Sequence, residues 1–233
     1  MEALRGIGFD LDHTLAIDNR LERVAFLRLL EAILNEGGQT IGTLADEQDA
    51  IDALLARQRR GEFSIEEAVR RFVAERSLRP TPRHVEYFRR AAVEMVDEFV
   101  IALPGVDRLL GVLHERGIAV AILSNGWNPL QVRKAARAGF SGPVLVSSEI
   151  GVQKPSPRAF EALLAALGTA PRQTWYVGDD PHGDVAGADA AGIATIWMNW
   201  EGKAYPPDLP APGYTIADFA QLIELLPSAA RVS

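Results

Sequence analysis

Asp10 and Asp12 stand one residue apart at the end of a short apolar run, Gly6 to Leu11, just before Thr14. On an extended strand alternate side chains share a face, so both carboxylates point the same way while Leu11 points into the fold. Like charges at that spacing repel, and a divalent cation relieves the repulsion. Hard oxygen donors of this kind are what Mg2+ takes. Three later segments carry polar groups of comparable density: Ser124-Asn125, Glu149 to Lys154, and Asp179-Asp180 with Asp184 close behind.

The elements that must position these residues follow from periodicity. After the first strand, more than eighty residues read as helix without an intervening strand. Helical spacing covers Arg20 to Glu36 and Leu44 to Arg60, each closed by glycine. Ser64 with Glu67 reads as a capping box before a third helix, and Thr81-Pro82 opens a fourth with Val85, Phe88, Ala92, Met95, Val96 and Phe99 on its buried stripe. From Val106 onward helices alternate with short apolar runs. These are Val106 to Arg116, the run Ile118 to Leu123, a helix near Asn128 to Ala138, Val144 to Val146, and a helix from Ser156-Pro157 to Leu167. The alternation continues with Trp175 to Val177, a helix near Asp184 to Ala191, Ile193 to Met198, and a last helix from Ala217 to Leu226. Such alternation predicts a parallel sheet with helices on both faces. The four polar segments all follow the C-terminal ends of predicted strands, the edge where open parallel sheets bind ligands. The helical insert between Thr14 and Leu103 is then expected to form a lid.

Composition narrows the partners. The chain has 233 residues, of which 48% are hydrophobic, and carries 24 Lys plus Arg against 31 Asp plus Glu. A formal charge of −7 does not favour nucleic acid, so positive charge for an anionic ligand must be local. Only Lys134, Lys154 and Lys203 are lysines, and cysteine is absent, which excludes disulfides, thiolate zinc sites and a cysteine nucleophile. No charged start followed by an apolar segment and no bilayer-length apolar run is present, so the expectation is a cytoplasmic protein without a membrane partner.

Four segments in this order resemble the haloacid dehalogenase (HAD) superfamily, in the branch with a helical cap between the first and second motifs. They are Asp10-Leu11-Asp12-His13-Thr14, Ser124-Asn125, Lys154-Pro155, and Gly178-Asp179-Asp180 with Asp184. The resemblance implies an α/β fold, with a Rossmann-like core from residues 1–16 and 102–233 and a small helical-bundle cap from 17–101. It also implies a Mg2+-dependent phosphatase acting on a small phosphorylated metabolite. In that reading Asp10 is the nucleophile that becomes an aspartyl phosphate, and Asp12 is the general acid and base, protonated when substrate arrives. Mg2+ is held by Asp10, the Asp12 carbonyl and Asp179, with Asp184 holding a metal-bound water or orienting Lys154. Ser124, the Asn125 backbone N–H and Lys154 bind the phosphoryl oxygens, and Thr14 braces the first loop by a hydrogen bond. A carbon–halogen hydrolase, a sugar-phosphate mutase or a non-catalytic regulatory module on the same scaffold are the alternatives.

Two positions depart from the family pattern. His13 stands where Gly is frequent, and Asp180 adds a carboxylate where a small polar residue is common; Asp180 is expected to point away from a metal. His13 and His182 have no His or Cys partner at zinc-ligand spacing. The pairs Arg59-Arg60, Arg70-Arg71 and Arg89-Arg90 read as helix surface or as a second anion contact. Trp127 reads as a pocket-mouth residue and Trp197 as core.

Overall fold

The computed structural model describes residues 3–227. In chain order the elements are strands β1 (Gly6–Phe9) and β2 (Ala16–Ile17), then helices α1 (Leu21–Asn35), α2 (Leu44–Arg59), α3 (Ile65–Glu75), α4 (Pro82–Glu94) and α5 (Val96–Phe99). There follow β3 (Ile101–Ala102), α6 (Val106–Glu115), β4 (Ala119–Ser124), α7 (Leu130–Arg137), β5 (Val144–Val146), α8 (Ser147–Ile150) and α9 (Pro157–Leu167). The chain ends with β6 (Thr174–Gly178), a π-helical turn over Pro181–Ala186, α10 (Gly187–Ala190), β7 (Ala194–Met198), β8 (Tyr214–Ile216) and α11 (Phe219–Leu225). Two compact units result, one from residues 1–18 and 100–233, the other from 19–99. Among the described residues no helix is long and apolar enough to cross a membrane.

The first unit is built on a six-stranded sheet in the order β5-β4-β1-β6-β7-β8, every adjacent pair parallel. The chain steps outward from β1 to β4 and β5, then crosses to the other side of β1 for β6, β7 and β8. That reversal beside β1 opens a crevice at the C-terminal strand ends. The ladder is in register from Gly6 against Ala119 and Thr174 to Phe9 against Ile122 and Val177. All four residues of β1 are buried, as the continuous apolar run requires. Beneath one face Phe160 and Leu163 of α9 pack with Leu123 and Tyr176, and the Phe160 ring meets Tyr176 edge-on at 5.1 Å. A separate two-stranded antiparallel ladder joins β2 to β3, pairing Ala16 with Ala102 and Ile17 with Ile101.

In the helical unit α1 packs against α2 and α4, and α3 against α2 and α4. Phe26 of α1 sits between Phe72 and Phe88, with ring centroids 4.9 and 4.5 Å away. Thr43 caps α2 through a reciprocal box with Asp46. At α3 only half of the expected box forms: Ser64 accepts from the Glu67 N–H, but the Glu67 carboxylate turns to Arg70 and Arg71 instead. The six paired arginines each have a glutamate partner in this unit.

Three expectations are corrected. The fourth helix stops at Glu94, and Met95 is its C-cap; the Glu98 and Phe99 N–H groups both bond to the Met95 carbonyl, which restarts the chain as α5. The helix near Asp184 begins earlier, as a π-helical turn in which the Asp184 and Val185 N–H groups share the Asp180 carbonyl. Strand β8 has no counterpart in the sequence reading, because an edge strand of three residues with only Ile216 buried leaves no alternating pattern.

The helical unit contains a fully buried ion pair. Arg76 is 0% exposed and Glu47 1%. The Arg76 Nε donates to Glu47 at 2.9 Å, its Nη1 to the Phe72 carbonyl at 2.7 Å, and the other Glu47 oxygen accepts from the Ile41 N–H at 2.9 Å. Removing one partner leaves a buried charge uncompensated. Glu47→Ala is therefore expected to cost about 3–5 kcal/mol, read as a lower urea midpoint by circular dichroism, whereas Glu62→Ala on the exposed surface leaves the midpoint nearly unchanged.

Candidate active site

Strand β1 delivers Asp10 to the middle of the sheet's C-terminal edge, where its N–H continues the ladder by donating to the Val177 carbonyl at 2.8 Å. Lys154 comes to it from the loop before α9. The Lys154 Nζ donates to Asp10 Oδ1 at 2.5 Å, Asp184 Oδ1 at 2.7 Å and the Tyr176 hydroxyl at 3.1 Å. The Tyr176 hydroxyl passes its own hydrogen to the Leu123 carbonyl at 3.1 Å. Asn125 holds the Lys154 backbone from both sides: its Nδ2 donates to the Lys154 carbonyl at 3.0 Å and its Oδ1 accepts from the Lys154 N–H at 2.9 Å. The second oxygen of Asp184 accepts from the Asp180 N–H at 3.0 Å.

Asp12 belongs to a neighbouring network. Gln131 Nε2 of α7 donates to Asp12 Oδ2 at 2.7 Å and to the Ser124 Oγ at 2.6 Å. Lys134 Nζ donates to Asp12 Oδ1 and to Asp18 Oδ2, both at 2.9 Å.

Carboxylate oxygens of Asp10, Asp179 and Asp184 lie within 4.8 Å of one another. Three carboxylates thus share one ammonium, and the shortage of positive charge is visible in their acidities. Burial, working against Lys154 and helped by the charges of Asp184 and Asp12, pushes the Asp10 carboxyl up to about 7. Burial and the charges of Asp10 and Asp184 push Asp179 up to about 8. Burial also raises Asp184 against the pull of Lys154. Lys154 stays protonated, since the attraction of Asp10 and Asp184 overcomes its burial and holds it well above the usual lysine range. An all-oxygen donor set with two negative charges in excess suits a hard divalent cation.

The two carboxylates of the first segment differ in the direction opposite to expectation. Burial raises Asp12, but Lys134, with Gln131 and His13, outweighs it and holds the carboxyl below the usual range. Asp12 accepts from Gln131 as well as Lys134, whereas Asp10 has Lys154 and faces the charges of Asp184 and Asp12. Thr14 also departs from its expected role. Its Oγ1 is buried with no hydrogen-bond partner, so the side chain braces nothing by hydrogen bonding; the loop is held by backbone bonds from the Thr14, Leu15 and Ala16 N–H groups to the Leu11 carbonyl.

His13 adopts a left-handed φ of 60°, which accounts for the frequency of Gly at this position in the resembling family. Its carbonyl accepts from the Trp200 indole at 2.8 Å. Asp180 caps the following turn, its Oδ1 accepting from the His182 N–H at 3.0 Å, and the His182 residue is exposed. Trp127 is buried, and Trp197 is buried with its indole N–H on the Asp179 carbonyl at 2.8 Å.

A family model for haloacid dehalogenase-like hydrolases matches residues 4–192. The chain belongs to this family. Among curated relatives, the phosphoserine phosphatase of Thermus thermophilus is 40% identical over 41% of this chain, which spans 40% of that protein's length. The glyceraldehyde 3-phosphate phosphatase of Pyrococcus furiosus is 28% identical over 97% of this chain and 94% of its own. Among solved structures, the 2-haloacid dehalogenase of Pseudomonas syringae pv. tomato superimposes with a TM-score of 0.71 at 24% identity, over 96% of this chain and 98% of that one. At that identity the likeness speaks for the fold alone.

Gln131, Lys134, Asp18 and Tyr176 of this hydrolase join the site from outside the four sequence segments. The available signal was Lys134 itself, one of three lysines, three residues after Gln131 on a helix that opens directly behind Ser124-Asn125. Gly178 is a further constraint: a Cβ there would lie 2.3 Å from the Asp184 Cγ. Gly178→Ala is expected to displace Asp184, lowering stability by about 1–3 kcal/mol in urea denaturation and loosening Lys154. Because Asp10 and Asp179 titrate at about 7 and 8, a divalent cation must displace their protons at lower pH. Calorimetric titration with Mg2+ should show proton release, and an affinity that climbs with pH until about 8; an affinity flat between pH 6 and 8 would contradict the assignment of these carboxylates.

Proposed function

We propose that this hydrolase is a Mg2+-dependent phosphatase that cleaves a small phosphate monoester through an aspartyl phosphate on Asp10. The observation that carries the reading is the convergence of the Asp10, Asp179 and Asp184 carboxylates within 4.8 Å beside Lys154. It is a site that demands a cation and offers a carboxylate at the centre of the sheet edge. Two curated relatives bear the names of phosphatases of small phosphorylated metabolites, which supports the substrate class.

Asp10, the Asp12 carbonyl and Asp179 would hold the ion, and Asp184, both of whose oxygens are engaged by Lys154 and the Asp180 N–H, orients Lys154. When bound, Mg2+ supplies Lewis-acid charge to a phosphoryl oxygen and favours the ionised form of the carboxyls whose pKa values burial has raised. Ser124 and the Asn125 N–H bind the remaining phosphoryl oxygens, together with Lys154 through the donor now given to the neutral Tyr176 hydroxyl. An Asp10 oxygen attacks phosphorus, the bond to the ester oxygen breaks, and the electron pair leaving on that oxygen takes a proton from Asp12. The anionic substrate supplies the like charge that favours a proton on Asp12 before transfer. Water then attacks the aspartyl phosphate, gives a proton to Asp12, and the phosphorus–oxygen bond to Asp10 breaks to release inorganic phosphate. The helical unit, residues 17–101 in the sequence reading, serves as the cap that selects the substrate.

Turnover of p-nitrophenyl phosphate should require Mg2+, stop with EDTA, and fall by about 10³-fold or more in Asp10→Asn. Activity retained in Asp10→Asn would remove Asp10 as nucleophile. Halide release from a 2-haloacid in the presence of EDTA would assign the site to carbon–halogen hydrolysis.

A further inference from the structure

Gln131 and Lys134 are buried polar side chains to which the reaction above gives no role. They lie three residues apart and so share one face of α7, and each is only 2% exposed. Burying an amide and an ammonium is costly unless their donors are satisfied. Here the satisfaction is specific. The two residues take different oxygens of Asp12, Gln131 at 2.7 Å on Oδ2 and Lys134 at 2.9 Å on Oδ1. Each also reaches a second partner, Ser124 at 2.6 Å for Gln131 and Asp18 at 2.9 Å for Lys134. Gly126 leaves room for this arrangement, since a Cβ there would lie 2.8 Å from the Gln131 Cγ.

Resting on the phosphatase reading, we propose that Gln131 and Lys134 are positioning residues that lock the Asp12 carboxyl for proton transfer and set it at a fixed distance from Ser124. A carboxylate oxygen has two lone-pair sites, so one donor on each oxygen of Asp12 fixes both torsions while leaving a site free for the leaving oxygen or for water. The Gln131 amide orientation follows from Asp12, because an ionised carboxylate accepts only and must face Nε2. The same Nε2 donates to Ser124 Oγ, so the serine hydroxyl keeps its own hydrogen to donate elsewhere, as a phosphoryl-binding group must. Lys134 adds the second anchor through Asp18, the last residue before the helical unit.

Proton transfer needs hydrogen-bond distance, and misplacement by about 1 Å costs on the order of 10²-fold. The test is leaving-group dependence in Gln131→Leu and Lys134→Met, with Asp18→Asn as a variant that leaves both donors to Asp12 in place but removes the second anchor. An alkyl phosphate needs a proton on its departing oxygen, and p-nitrophenyl phosphate does not. The kcat/KM for the alkyl ester, which reports the step that cleaves it, should fall by about 10²-fold more than that for the aryl ester. Because Asp12 also receives the proton of the hydrolytic water, phosphorylated enzyme should accumulate with the aryl ester, whose cleavage needs no acid, and appear by intact mass after acid quench. Folding of each variant is checked by its thermal melt, and if Lys134→Met does not fold, Gln131→Leu carries the test. Equal losses on both esters, or wild-type ratios without phosphoenzyme, overturn the proposal while leaving the phosphatase reading intact. A wild-type protein that turns over neither ester in Mg2+ overturns both.

Discussion

Charge balance at the C-terminal edge of the sheet is the constraint on which the rest of the site depends. Asp10, Asp12, Asp179 and Asp184 follow the ends of buried strands, so their charges are concentrated where water is scarce and mutual repulsion is strong. The chain has three lysines, and all three answer to this edge. Lys154 serves Asp10 and Asp184, Lys134 serves Asp12 and Asp18, and Lys203, paired mainly with Glu201, also feels Asp179 and Asp180. A compact ammonium with three donors suits the first of these places better than a planar guanidinium would, because the partners of Lys154 surround it. Asp10, Asp184 and Tyr176 use its three donors between them. Even so Asp179 has no ammonium of its own, and the deficit that remains is divalent in size.

The segments that converge are those in which polar residues directly follow an apolar run. Asp10, Ser124, Lys154 and Asp179 could be placed together because a parallel sheet brings every strand's C-terminal end to one edge. The parallel sheet itself was legible for the same reason: alternating helices and short apolar runs admit few other arrangements. What escaped notice depends on side chains that reach across the fold. Lys134 looks like any helix-surface lysine until α7 is set beside the first loop, and nothing local ties it to Asp12 more than a hundred residues earlier. The inverted acidities of Asp10 and Asp12 escaped for the same reason, since they are decided by which lysine each carboxylate shares. Thr14 invited a bracing role by its type, yet its hydroxyl finds no partner and the turn closes on backbone bonds to the Leu11 carbonyl.

Two indoles from the β7 region steady the loops on which the carboxylates sit. Trp197 in the strand bonds to the Asp179 carbonyl, and Trp200 just beyond it bonds to the His13 carbonyl, with the Trp200 and His13 rings nearly parallel at 7° and 6.4 Å apart. The left-handed backbone of His13 costs roughly 1–2 kcal/mol for a residue other than glycine, and such conformations persist where the surroundings over-determine them. The Trp200 bond is one such restraint. The imidazole stacked on Trp200 is the contact that histidine has and glycine would lack, and it adds to the tie between the loop after Asp12 and the segment beyond β7.

The ladder between β2 and β3 has a consequence of a different kind. Ala16 faces Ala102 and Ile17 faces Ile101, so the chain leaves the sheet-bearing unit and re-enters it at adjacent points. The closure entropy of a loop depends only on the logarithm of its length once its ends are held together. Whatever lies between the two strands is therefore nearly neutral for the fold that carries the chemistry, whether it is a short turn or an entire helical unit. The junction is fixed and the segment it carries is exchangeable, so the residues between the two strands can change without disturbing the sheet that presents Asp10.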